Sequence, residues 1–216
     1  MFRVLFLTVA MLAVLTAGVA RADTASAIDT SYFASEAKRW NKFVDDLYAL
    51  HKKRIEGKDI KIEEKTGGYF RYDNFYKEQK FIDKKTGHVV SLIQWETKHP
   101  KNIHVIQVFI RNDNGRLIRD FGATYRTEDH DDPMATEINL HAYSKGLEAF
   151  RQFNASDEIT YERCRGTYQG KKVDIRLGIV ELDEFRGEPD TIMTTPAYKA
   201  CFGSIPLKAG KYLTPQ

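Results

Sequence analysis

Between residues 127 and 143 the chain reads TEDHDDPMATEINLHAY, which places Glu128, Asp129, His130, Asp131, Asp132, Glu137 and His141 within one short span. Carboxylates converging from a tight loop are what a hard cation such as calcium requires, and Asp129, Asp131 and Asp132 could supply them. A transition metal would instead draw on imidazole nitrogen with one carboxylate, here His130, His141 and Asp132. The same acidic and histidine cluster, 128–141, could serve a hydrolase with or without metal. Against these readings stands the spacing. The Asp/Asn ladder with a central Gly and a distant Glu that builds a calcium loop does not occur, and the histidines are 11 positions apart, on a loop and a strand. Acidic residues before Pro133 are also what a solvated connection looks like.

The second chemical stretch is GGYFRYDNFYKEQKF, residues 67–81. Tyr69, Phe70, Tyr72, Phe75, Tyr76 and Phe81 are six aromatics in 13 positions, against a chain average of 12%. Rings interleaved with Arg71, Asp73, Asn74 and Lys77 suit stacking on a sugar or an apolar ligand, with the polar groups fixing its orientation. Tyr69, Phe70, Arg71, Tyr72 and Tyr76 are therefore the candidate ligand-binding residues. The plainer expectation is that the segment packs on the Trp40 side of the N-terminal helix and closes one end of a sheet.

No catalytic residue is assigned. The serines lack a nucleophile elbow, and the zinc helix His-Glu-x-x-His, a phosphate-binding Gly loop and a dinucleotide fingerprint do not occur. His104, inside the most apolar strand, reads as a satisfied core histidine. No cofactor is expected. Cys164 and Cys201 are the only cysteines and are expected to form one disulfide, closing a 37-residue separation. Asn154-Ala155-Ser156 is a glycosylation sequon that also marks a turn.

These residues need elements to position them. Ser31 to Glu56 carries Phe33, Ala37, Trp40, Val44, Leu47 and Ile55 at helical spacing, which predicts a long amphipathic helix over 31–56. From there the period becomes two. Strands are predicted at 77–83, 88–97, 102–111, 116–126, 136–143, 147–153, 158–164 and 172–180, with a hairpin turn at Asn114-Gly115. Thr195-Pro196 predicts the start of a short C-terminal helix. The fold class is α+β. A long N-terminal helix packs on a strongly curled, mostly antiparallel sheet or incomplete barrel of about 7–8 strands, and a short helix follows.

The chain opens with Arg3, an apolar run from Val4 to Ala20, and Ala20-Arg21-Ala22, the pattern of a secretory signal peptide over 1–22. The expected mature domain, 23–216, comprises the helix, a sheet over about 77–180 and a C-terminal segment 181–216. Loss of Arg3 and Arg21 leaves a formal charge of +1, against +3 for the whole chain. That balance argues against a nucleic-acid partner, which would demand a surplus of Lys and Arg. The expectation is a periplasmic or secreted, non-catalytic binding or accessory domain with no stable membrane insertion after cleavage. Its partner would be a small apolar or glycan-like ligand, or an envelope protein.

Overall fold

The computed structural model describes residues 30–69, 72–125 and 132–216. The leader, Phe70, Arg71 and the run from Arg126 to Asp131, with Glu128, Asp129 and His130, lie outside the described residues.

A 26-residue helix, α1 (Thr30–Ile55), comes first. It buries Phe43, Val44, Leu47, Leu50 and His51, the i, i+1, i+4, i+7, i+8 stripe of an amphipathic helix. Lys52, Lys53 and Arg54 sit in its last turn, where the helix dipole favours positive charge. Nine strands follow, β1 (Ile60–Tyr69), β2 (Tyr72–Asp83), β3 (Val89–Glu96), β4 (Ile103–Arg111), β5 (Leu117–Tyr125), β6 (Pro133–Ser144), β7 (Leu147–Phe153), β8 (Ile159–Tyr168) and β9 (Lys171–Gly178). They form one antiparallel sheet in simple sequence order, and the sheet does not close. Two short helices, α2 (Ile179–Phe185) and α3 (Pro196–Phe202), follow the sheet, and a 3-10 turn at Gly210–Leu213 lies beyond them. Thr195 caps α3 by accepting a hydrogen bond from the Tyr198 amide, as Thr-Pro at a helix start predicts.

The α+β class and the helix–sheet–helix order agree with the pattern in the sequence. Two details differ. The sheet begins at Ile60 rather than near residue 77, because β1 and the aromatic segment pair as a hairpin. The last strand stops at Gly178, where α2 takes over. β1 escapes the alternation rule because it is an edge strand exposed along most of its length, with Lys61, Glu63, Glu64 and Lys65. Such charges also discourage pairing with another chain, and Lys171, Lys172, Asp174 and Arg176 do the same for the opposite edge.

One face of the sheet carries the core. Phe81, Ile93, Ile106, Val108, Phe121, Ile138, Leu140, Phe153, Ile175 and Leu177 are buried together with the α1 stripe and with Leu182, Cys201 and Phe202 of the C-terminal helices. Phe43 meets Phe121 edge-on with ring centres 6.3 Å apart. The Cys164–Cys201 disulfide joins β8 to α3 across this layer, with Cα atoms 5.9 Å apart. Beside it lies a buried polar lock. Arg151 donates to the Glu162 carboxylate and to the carbonyls of Ile205 and Pro206, and the Tyr198 hydroxyl donates to Glu162 at 2.6 Å. Every group in the lock has a partner, which is what a buried ion pair needs to persist.

The sequon is structural. Asn154 is buried, and its side-chain oxygen accepts from the amides of Ser156 and Glu158, the geometry of an Asx turn. No helix among the described residues is long and apolar enough to cross a membrane.

Candidate functional site

The register sends alternate residues of every strand to the face opposite the helices, and two side-chain clusters stand there.

The first is built by the β1–β2 hairpin. Gly67 pairs with Tyr76, and after an irregularity Tyr69 pairs with Tyr72. The glycines are needed. A Cβ on Gly67 would sit 2.6 Å from the Tyr76 ring, and one on Gly68 would sit 1.8 Å from the Tyr72 carbonyl oxygen. Tyr76 therefore lies over a bare backbone and is aimed at Tyr69, with ring centres 5.6 Å apart. Phe75 lies 5.7 Å from Tyr69, and Tyr72 lies 6.5 Å from Phe75. Asn74, at φ 61°, holds the left-handed bend that admits Phe75 beside them.

Beneath these rings is His104. It is the extra residue where the β3–β4 register slips, since Gln94 pairs with Val105 and Trp95 with Ile103. Such a bulge turns its side chain to the same face as Val105. Tyr69 and Phe75 meet its ring at centre distances of 5.4 and 5.1 Å. The Tyr69 hydroxyl contacts His104 Nε2 at 2.7 Å, Gln94 donates to Glu78 at 2.8 Å, and Lys65 pairs with Glu78 at 3.1 Å. Glu78 and His104 are buried, as is Glu96, which lies across from Tyr76. Burial, the largest influence, and then the neighbouring Tyr76 and Glu78 raise the Tyr69 phenol above its ordinary value. Yet Tyr69 is 48% and Tyr72 65% exposed. Rings exposed above the half-buried Gln94 amide and the buried Glu78 carboxylate and His104 imidazole present an apolar platform with a polar floor.

The structure thus brings Tyr69, Tyr72 and Tyr76 together. It does not pack them on Trp40, whose indole N–H donates to Ser156 at 2.9 Å on the helix side. Among the described aromatics of the stretch, Phe81 alone joins the core, where it meets His51. His104 is on the opposite face from the apolar core, because the bulge reverses the alternation that an unbroken strand would follow.

The second cluster lies across β5–β8. Asp120 accepts from Asn139 at 2.7 Å and contacts His141 Nε2 at 2.6 Å. Glu137 stands beside them, and its carboxyl is pushed up by burial first and by the Asp120 charge second. His141, Tyr143, Phe150, Arg163 and Arg165 line a cleft of about 260 Å³ with Leu117 at its edge. Phe150 lies 5.4 Å from the His141 ring and 5.8 Å from Tyr161. The Tyr143 hydroxyl is committed to the Leu117 carbonyl at 2.8 Å, and among the described residues no Ser, Thr or Cys lines this cleft. Asp120 therefore orients the imidazole without a nucleophile beside it.

Of the expected metal set, the two described members, Asp132 and His141, do not come together. Asp132 accepts from Asn41 of α1 at 2.6 Å, whereas His141 is nine residues further along β6, on the order of 30 Å away at strand rise. His130 lies outside the described residues. Among the described residues no three His, Cys, Asp or Glu side chains come together as a metal site.

The fold and these clusters define an α+β protein with an open nine-stranded meander, helices on one face and polar–aromatic side chains on the other. Comparison with known families, with curated proteins and with solved structures finds no match to this chain.

Proposed function

We propose that this chain is an exported, non-catalytic binding domain and that the β1–β2 hairpin is its ligand surface. The observation that carries the reading is the ring cluster of Tyr69, Tyr72, Phe75 and Tyr76, exposed at two of its members and seated on the buried polar floor of His104 and Glu78. A side chain as apolar as Tyr is not left exposed beside three others at no cost, and such patches mark interaction sites. Flat rings with adjacent hydrogen-bonding groups match the apolar faces and hydroxyl edges of a sugar, so the ligand class is glycan-like. The Cys164–Cys201 bridge supports an oxidising, periplasmic or secreted setting.

The test is sedimentation of the mature chain with purified peptidoglycan, and titration with N-acetylglucosamine oligomers. Tyr69→Ala and Tyr72→Ala should each weaken binding roughly tenfold; thermal stability should be nearly unchanged for Tyr72→Ala, whose ring is 65% exposed, and should fall by about 1–3 kcal/mol for Tyr69→Ala, which removes the hydroxyl partner of buried His104. Equal binding by wild type and both variants would defeat the reading.

A further inference from the structure

Three arginines face outward from β8 and β9 beside the His141 cleft, and two of them are neutralised. Arg165 makes two hydrogen bonds to Glu148, and Arg176 two to Asp174. Arg163 stands opposite Phe150 on β7 and Arg176 on β9; its charge reaches Asp174, but it makes no ion pair with any of the described residues. Its Nε is buried and makes no hydrogen bond. A buried donor of a charged group left without an acceptor is costly, and native proteins place one where something supplies the acceptor. Phe150 gives the cleft an apolar ring flanked by His141 and Tyr161.

We propose that this cleft is a second ligand site, independent of the hairpin, and that it takes a single-ring aromatic carboxylate. The volume of about 260 Å³ is just below the roughly 300 Å³ at which small-molecule sites begin, so the cleft suits a single ring. A guanidinium offers a planar fork that a carboxylate meets with two parallel hydrogen bonds, and the carboxylate supplies the charge that Arg163 lacks. The ligand ring then lies against Phe150. Glu148 also lines the cleft, but one of its carboxylate oxygens takes both Arg165 bonds and it makes no ion pair with Arg163.

The experiment is a ¹⁵N-resolved NMR titration of the mature, oxidised chain with three probes: benzoate, acetate (charge without ring) and benzyl alcohol (ring without charge). Benzoate should give saturable shifts on β6–β8 amides, with acetate and benzyl alcohol at least roughly tenfold weaker. Arg163→Gln and Phe150→Ala should each weaken benzoate roughly tenfold to a hundredfold, the range for one charge-assisted contact or one stacking ring. Tyr69→Ala should leave benzoate affinity unchanged, which separates this site from the hairpin. Should Arg163→Gln lose its dispersed spectrum, Arg163→Lys keeps the charge without the fork and should still weaken benzoate several-fold. Non-saturable shifts, shifts confined to the hairpin, acetate binding as tightly as benzoate, or undiminished affinity in Arg163→Lys would each overturn the proposal.

Discussion

Replacing Glu162 with Ala should destabilise the protein more than any single change on the ligand-facing side of the sheet. The carboxylate is 1% exposed and its partner Arg151 2%, so neither charge reaches bulk water. Glu162 accepts from Arg151 on β7 and from Tyr198 on α3, and Arg151 goes on to the carbonyls of Ile205 and Pro206. Truncation to Ala leaves a buried guanidinium without its counter-charge, a loss of about 3–5 kcal/mol. It also strips the acceptor from a phenol that is held protonated, chiefly by burial and then by its bond to Glu162. For a chain of this length each kcal/mol moves Tm by about 2–4 °C, so the expected fall is roughly 6–20 °C in a calorimetric scan. Glu162→Gln keeps the shape but removes the charge, and should lie between wild type and Ala. The double change Arg151→Met with Glu162→Leu removes both charges at similar volume and should recover much of the loss. A shift of less than about 2 °C for Glu162→Ala would refute the view that the pair locks the C-terminal helix to the sheet.

Four other outcomes are expected. Cys164→Ala with Cys201→Ala should cost about 4 kcal/mol by loop entropy for a 37-residue separation, read as an earlier denaturant midpoint with unchanged binding. Glu137→Gln should raise Tm at pH 7 but not near pH 4. Burial and Asp120 raise the folded pKa, so the folded state holds the proton more tightly and loses stability as pH climbs through that value. Alkaline unfolding should begin near pH 10 and deepen toward pH 12. Burial pushes Tyr125 up to about 12 and Tyr198 higher still, so the folded chain keeps protons that the unfolded chain sheds from about pH 10 upward. Gly68→Ala should reduce glycan binding without a large change in Tm, because its Cβ would collide with the Tyr72 carbonyl in an exposed hairpin that contributes little to the core.

Local pattern was enough for much of the scaffold. Helical spacing from Trp40 to Ile55 and two-residue alternation from Val89 onward are short-range properties, written into neighbouring residues by backbone geometry. The Cys164–Cys201 pairing also followed, since two cysteines allow one partner each. Alternation on β6 already divided Ile138 and Leu140, which are buried in the core, from Asn139 and His141 on the opposite face. What it could not reveal is which side chain of another strand stands across from each. Asp120 reaches His141 only because Asp120 pairs with Asn139, and Phe150 meets Arg163 only through the β7–β8 register. His104 looked like core until a one-residue slip against β3 turned it outward beneath Tyr69. The Asp132–His141 metal set seemed compact in sequence and is extended in space, because a strand separates its residues by more than 3 Å at each step. Register and bulges are settled by long-range packing of one whole sheet face against α1 and α3. The side-chain neighbourhoods on the ligand-facing side are therefore a property of the folded sheet, while the elements that carry them belong to the sequence.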